Sequence, residues 1–235
     1  METRKNTHSH KAVIFDLFGT LVNIFLVEEH DQMTAKMANV LSAPAEKFTS
    51  LWVATFSERA TGVFSTTEEN IRHVTNSLGL RLTEEQVKRA SAIRWDFSKD
   101  SLQPKPLALE TLQQIKEAGL KIGLISDCSC EIPGLWNGTP FAPLFDSAIF
   151  SCRVQIRKPS PDIYAIACRE LGVEPTECLY VGDGGSNELR GAEDVGMTPL
   201  LLYEQHEDGE HVYRAGAEAW SGERIESLAQ VLQFI

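Results

Sequence analysis

The sequence has no apolar run near the ~20 residues that crossing a bilayer requires, and its first ten residues, METRKNTHSH, lack the apolar core of a signal peptide. Basic residues are scarce. Twenty-two Lys and Arg stand against thirty-three Asp and Glu, a formal charge of −11. Like-charge repulsion then argues against a nucleic-acid backbone or an anionic membrane as the main partner. A small anionic substrate stays compatible, because one pocket can be positive on an acidic protein. Cysteines are few and odd in number: Cys128, Cys130, Cys152, Cys168 and Cys178. No disulfide framework is visible, so free thiols and a cytoplasmic location are expected. No repeat at a solenoid period occurs. No GxGxxG follows the first apolar run, which argues against a dinucleotide site.

What is present is an ordinary globular mix, 43% hydrophobic and 23% charged, enough for a sizeable core. KAVIFD, residues 11–16, reads as a buried strand ending at an aspartate and a GT turn. From Asn23 to Asp100 the pattern is helix after helix, with apolar residues at three-and-four spacing in MTAKMANVL, EKFTSLWVATFSERA, TEENIRHVTNSLGL and TEEQVKRASAIRWDF. Thr67 and Thr83 precede acidic first turns and read as helix caps. Trp52, Phe56 and Phe64 read as the core of this segment.

After Pro104 helices and short apolar strands alternate. KIGLIS, SAIFSC, CLYVGD and TPLLLY are the strands; LALETLQQIKEAG, SPDIYAIACRELG and NELRGAEDVG are the helices. Such alternation predicts right-handed crossovers and a parallel sheet covered on both faces. The tail from Glu204 to Glu223 reads as an acidic loop, and ERIESLAQVLQFI as a final amphipathic helix. The expected architecture is a Rossmann-like α/β core, residues 11–22 and 101–235, with an all-helical cap at 23–100 inserted after the first strand. Residues 1–10 form a polar leader.

Ligands of open parallel sheets bind beyond the carboxyl ends of the strands. Those positions hold Asp16, then Ser126 and Asp127, then Lys158, then Asp183. A carboxylate can attack phosphorus or carbon covalently. Asp16 and Asp183 together suit Mg²⁺, which takes a few carboxylate oxygens plus waters and phosphate oxygens. Lys158 would offset the remaining charge and Ser126 would donate to a phosphoryl oxygen. His8 and His10 have no expected role. Cys128 and Cys130, one residue apart, have an uncommon spacing for zinc and read as buried small side chains.

The ordered set FDLFGTL, LISDCS, RKPSPDIY and YVGDGGSNELRGAEDVGM resembles the four motifs of the haloacid dehalogenase-like hydrolase superfamily, in its members with a small helical cap. That resemblance implies Asp16 as nucleophile, and Asp16, the backbone carbonyl of Phe18 and Asp183 as metal ligands. It also implies Ser126 as a hydrogen-bonding group, and Lys158 as the cation that orients the nucleophile. Glu188 stands where relatives carry a second acid, to hold a metal-bound water or Lys158. Asp127, Glu188 and Arg59 are the candidate substrate contacts.

One position departs from the phosphatase pattern. Phosphatases of the superfamily have a proton-transferring aspartate two residues after the nucleophile; here that residue is Phe18. Dehalogenases have an aromatic residue there, need no metal, lack an aspartate like Asp183, and carry an arginine early in the cap, where this chain has Val53. The resemblance therefore implies a Mg²⁺-dependent phosphatase acting on a small phosphorylated metabolite. The alternatives are a metal-independent 2-haloacid dehalogenase or a non-catalytic phosphate-binding protein. A monomer or homodimer is expected.

Overall fold

The computed structural model describes residues 10–203 and 220–235. Six strands form one parallel sheet in the order β3-β2-β1-β4-β5-β6. They are β1 (Ala12–Phe15), β2 (Lys121–Ser126), β3 (Ser147–Phe150), β4 (Cys178–Gly182), β5 (Thr198–Leu202) and β6 (Arg224–Ile225). β1 and β4 are buried throughout, as strands covered on both faces should be. One apolar cluster lies on each face. Val13, Phe15, Leu124 and Val181 point to one side; Ala12, Ile14, Ile125 and Tyr180 point to the other. Core helices α6 (Ala108–Glu117), α7 (Glu131–Leu135), α8 (Ser151–Val154), α9 (Pro161–Leu171) and α10 (Glu188–Asp194) complete the α/β layers.

Five helices, α1 (Val27–Val40), α2 (Ala45–Ala54), α3 (Phe56–Ala60), α4 (Thr67–Ser77) and α5 (Glu84–Asp100), lie between β1 and β2. They enclose a third cluster of Met37, Leu41, Phe48, Trp52, Ile71 and Val74. The expected fold class, an α/β parallel sheet with a helical cap inserted after its first strand, is the one observed. β1 pairs with β2 on one side and β4 on the other, with Phe15 opposite both Leu124 and Val181. Chain order reverses direction at β1, so the crevice of the sheet opens at the carboxyl end of β1, immediately at Asp16.

Two local expectations are corrected. Thr66, not Thr67, caps α4: its backbone is extended (φ −134°, ψ 158°) and its hydroxyl accepts from the Glu69 N–H. Thr67 is the first helical residue and donates instead to Glu131 at 2.6 Å. Thr83 does cap α5, in a capping box with Gln86. The carboxyl-terminal stretch is not an α-helix. Arg224–Ile225 extends the sheet beside β5, with Tyr203 N–H bonded to the Ile225 carbonyl at 2.8 Å. Leu228–Gln233 follows as a 3₁₀ turn. Its buried residues, Leu228 and Val231, are three apart, the repeat of that tighter helix. Most of the acidic tail, residues 204–219, lies outside the described residues, as do residues 1–9 with His8. His10 bonds the Phe234 carbonyl and the Thr198 hydroxyl.

Candidate active site

Asp16 leaves β1 with its N–H bonded to the Val181 carbonyl at 2.9 Å, which places its side chain at the crevice. The following loop turns sharply, with Gly19 at φ +82°. A Cβ on Gly19 would lie 2.2 Å from an Asp183 oxygen, so only glycine lets this loop approach the β4 aspartate. Lys105 donates to the Gly19 carbonyl at 2.9 Å and fixes the loop from the other side.

Lys158 reaches in from the loop after α8. Its ammonium donates to Asp16 Oδ1 and to Glu188 Oε2. Thr20 Oγ1 donates to the other Asp16 oxygen at 3.4 Å. Glu188, fully buried, also accepts from the Tyr180 hydroxyl at 2.9 Å and the Gly184 N–H at 3.0 Å. A Cβ at Gly182 would strike that carboxylate at 2.1 Å. Asp183 accepts from the Gly185 N–H at 2.9 Å.

Asp16, Asp183 and Glu188 each place one carboxylate oxygen within 4.8 Å of the others. Three acids at that spacing strain one another. Burial first, and then the charge of Asp183, push the Asp16 carboxyl up to about 6 although Lys158 pulls it down. Burial and Asp16 push Glu188 up to about 8. Burial alone would lower the Lys158 ammonium, but Asp16, Glu188 and Asp127 hold it well above its ordinary value. One lysine is too little positive charge for this group, and an all-oxygen donor set is what a hard divalent cation takes. The residues present therefore fit Mg²⁺.

The crevice holds a cavity of about 80 Å³. Its polar wall includes Asp16, Asp127, Lys158, Asp183 and Glu188, and its apolar wall includes Phe18, Ile24, Phe25, Phe56 and Ile132. The structure thus brings Asp16, Phe18, Asp127, Lys158, Asp183 and Glu188 to one place. Ser126, at the end of β2, is fully buried beneath it and does not line the cavity. Asp127 is engaged within the protein: it accepts from the Lys158 N–H at 3.1 Å and Arg157 Nε at 3.4 Å, holding the lysine loop.

Arg59 is elsewhere. It is 4% exposed inside the cap, donating to the Trp52 carbonyl at 2.6 Å, Thr55 Oγ1 at 2.8 Å and Asn70 Oδ1 at 3.1 Å. Its guanidinium lies 4.5 Å from the Trp52 ring centroid. It does not reach the cavity, and its cap partners account for its burial. Of the three aromatics assigned to the cap core, Trp52 is buried there. Phe56 lines the cavity under Arg157, and Phe64 packs on His73.

The cap cation that does reach the cavity is Arg94 of α5, which the sequence reading missed. A signal existed. The buried positions of α5 are Val87, Ala90, Ser91, Arg94 and Ser98, so Arg94 is a charge on the inward stripe.

The sequence model of the haloacid dehalogenase-like hydrolase family matches residues 10–196. Glyceraldehyde 3-phosphate phosphatase of Methanopyrus kandleri is 34% identical over 108 residues, 43% of this chain and 44% of that protein. (S)-2-haloacid dehalogenase 4A of Burkholderia cepacia is 24% identical over 215 residues, 87% of this chain and 88% of that protein. The alignment thus spans less than half of the first relative and most of the second. A solved 2-haloacid dehalogenase from Pseudomonas syringae superposes with a TM-score of 0.69 at 19% identity, covering 95% of this chain and 97% of that one, a likeness of fold. No helix among the described residues is long and apolar enough to cross a membrane. With four strand-end motifs converging on one buried acidic crevice and the family match covering most of its length, the chain belongs to the haloacid dehalogenase-like hydrolases.

Proposed function

We propose that this hydrolase is a Mg²⁺-dependent phosphatase of a small phosphorylated metabolite, working through an aspartyl-phosphate at Asp16. The observation that carries this reading is the buried group Asp16, Asp183 and Glu188, three carboxylates within 4.8 Å served by one lysine. An anionic ester has no reason to enter such a site unless a cation accompanies it. Asp16 and Asp183 would hold the ion, with the Phe18 carbonyl. When bound, it supplies positive charge between the carboxylates and the phosphoryl oxygens.

The chain's own residues do the rest. Lys158 and Thr20 fix the two oxygens of Asp16. One of them attacks phosphorus, and the bond from phosphorus to the ester oxygen breaks. The departing oxygen takes its proton from water, since Phe18 carries none. A water then attacks the phosphorus of the acyl phosphate, releasing inorganic phosphate and returning the Asp16 carboxylate. Glu188 positions Lys158, and Asp127 holds the lysine loop.

A second reading, 2-haloacid dehalogenation, is favoured by Phe18. Its ring lines the cavity and packs 4.7 Å from Phe25, giving the nucleophile an apolar neighbour suited to a carbon–halogen bond. A panel of phosphate esters with Mg²⁺ or EDTA, run beside 2-chloropropionate, separates the two. Phosphate release that needs Mg²⁺ and disappears in Asp16→Asn is expected. Chloride release in EDTA, with no ester hydrolysed, would establish the second reading instead.

A further inference from the structure

We infer that Arg94 is an anchor for a carboxylate, so that the substrate is a compact phosphate ester of a short aliphatic hydroxy acid. This rests on the phosphatase reading above and names its substrate class. It begins with an arginine whose hydrogen bonds are largely unspent. Arg94 is 7% exposed and lines the same 80 Å³ cavity as Asp16 and Lys158. Its neighbours are Ser129, whose Oγ accepts from Nη2 at 3.3 Å, and Glu131, whose Oε1 lies 3.7 Å from Nε.

Glu131 balances the charge of Arg94 without consuming its donors. The Glu131 oxygens are occupied by hydroxyls, Oε1 by Thr67 at 2.6 Å and Oε2 by Ser129. Arg94 Nε is buried with no hydrogen-bond partner. A guanidinium has five N–H donors in a planar fork, and a buried donor left unmade costs about 1–3 kcal/mol.

The ligand group follows from size, shape and charge. The two oxygens of a carboxylate match the fork, and a single negative charge suits a cation already partly balanced by Glu131. The apolar wall of the same cavity, Phe18, Ile24, Phe25, Phe56 and Ile132, favours a few carbon atoms and offers no side-chain hydrogen bonds. The small volume leaves room for little else.

Calorimetric titration of Asp16→Asn protein with Mg²⁺ tests this. The probes are two matched pairs, 2-phospholactate against isopropyl phosphate and 2-chloropropionate against 2-chloropropanol. The carboxylate member is expected to bind roughly 10- to 100-fold more tightly, the worth of hydrogen bonds to a charged group. Adding Arg94→Met should bring that ratio to about one, and Arg94→Lys should leave an intermediate value. If Arg94→Met fails to fold because Glu131 is left as a lone buried charge, Arg94→Met with Glu131→Gln removes both charges and gives the same reading. Preference in the chlorinated pair alone, lost with Arg94, keeps the anchor and rejects the phosphatase reading. A ratio unmoved by Arg94 replacement, equal affinities within both pairs, or no binding by either carboxylate overturns the anchor.

Discussion

Asp16 and Arg59 are buried almost equally, 6% and 4% exposed, yet their surroundings are opposite. Around Arg59 the cap supplies a carbonyl, a hydroxyl, an amide oxygen and an aromatic face. Around Asp16 the core supplies two further carboxylates and a single lysine. The first arrangement gives the guanidinium three acceptors at Nη1 and an aromatic face, and it holds α2, α3 and α4 together. The second leaves like charges crowded, an arrangement that clusters at functional sites. Burial of a charge thus marks a site only when its partners inside the protein do not suffice.

The sharpest way to break this contrast is to remove the one cation of the crowded region. Lys158→Met should abolish ester hydrolysis and cost about 3–5 kcal/mol in a denaturant titration, the usual loss when a buried charge cluster loses a partner. A stable, active variant would mean the acids do not depend on it.

Next in size is the absence of a proton carrier at Phe18. General acid help is worth roughly 10²–10⁴-fold. Turnover of p-nitrophenyl phosphate, whose leaving oxygen needs no proton, should exceed that of ethyl phosphate by about that factor. Phe18→Asp should narrow the gap, provided that circular dichroism shows the fold intact after the ring leaves Phe25. Equal rates for both esters in the unmodified protein would point to another proton donor.

A smaller effect is expected in the cap. Arg59→Met takes the donor from Asn70 Oδ1, while the Trp52 carbonyl keeps Thr55 Oγ1 and Thr55 keeps Asn70 Nδ2, costing about 1–3 kcal/mol. KM for any substrate should be unchanged, since Arg59 does not line the cavity. A raised KM with unaltered stability would return Arg59 to the site.

The smallest effect is a pH trend in metal-free protein. Glu188 and Asp16 titrate near 8 and 6 in the fold and near 4.5 and 3.8 when unfolded. The native state therefore holds protons that the unfolded state has released, and stability falls as pH rises toward the folded values. His30, which burial and then Arg94 and Arg59 push down to about 4, is neutral in the fold but still half charged at about pH 6.5 when unfolded, so it adds an opposing rise that ends by about pH 7.5. In EDTA, Tm should drop between pH 7.5 and 8.5, and Mg²⁺ should raise it most at the higher pH. A Tm that rises over that interval would contradict the crowding.

The same contrast explains which features the sequence made legible. Strand ends announce themselves, because a short apolar run stopping at a polar residue is a local pattern. Asp16 and Asp183 stand at such ends and Lys158 in the loop beyond the third strand, and the parallel sheet then brings them together without further information. The cap offers no such rule. Arg59 and Arg94 both sit in helices with similar neighbours, and what separates them is tertiary. Asn70 and the Trp52 carbonyl meet the first inside the cap, while the second meets Ser129 and Glu131 of the core and lines the cavity. Thr66 and Thr67 are likewise equivalent as letters. Glu131, sixty-four residues on from Thr67, takes one hydroxyl and leaves the other to cap.

Covalent chemistry at Asp16 is tested most directly by trapping the intermediate. Protein mixed with 2-phospholactate and Mg²⁺, quenched in acid within one turnover and digested, should carry one phosphoryl group on the peptide holding Asp16. The adduct should be missing in EDTA and in Asp16→Asn. A bare Asp16 peptide during active ester turnover, or an ester formed there from 2-chloropropionate in EDTA while no phosphate ester is hydrolysed, would contradict it.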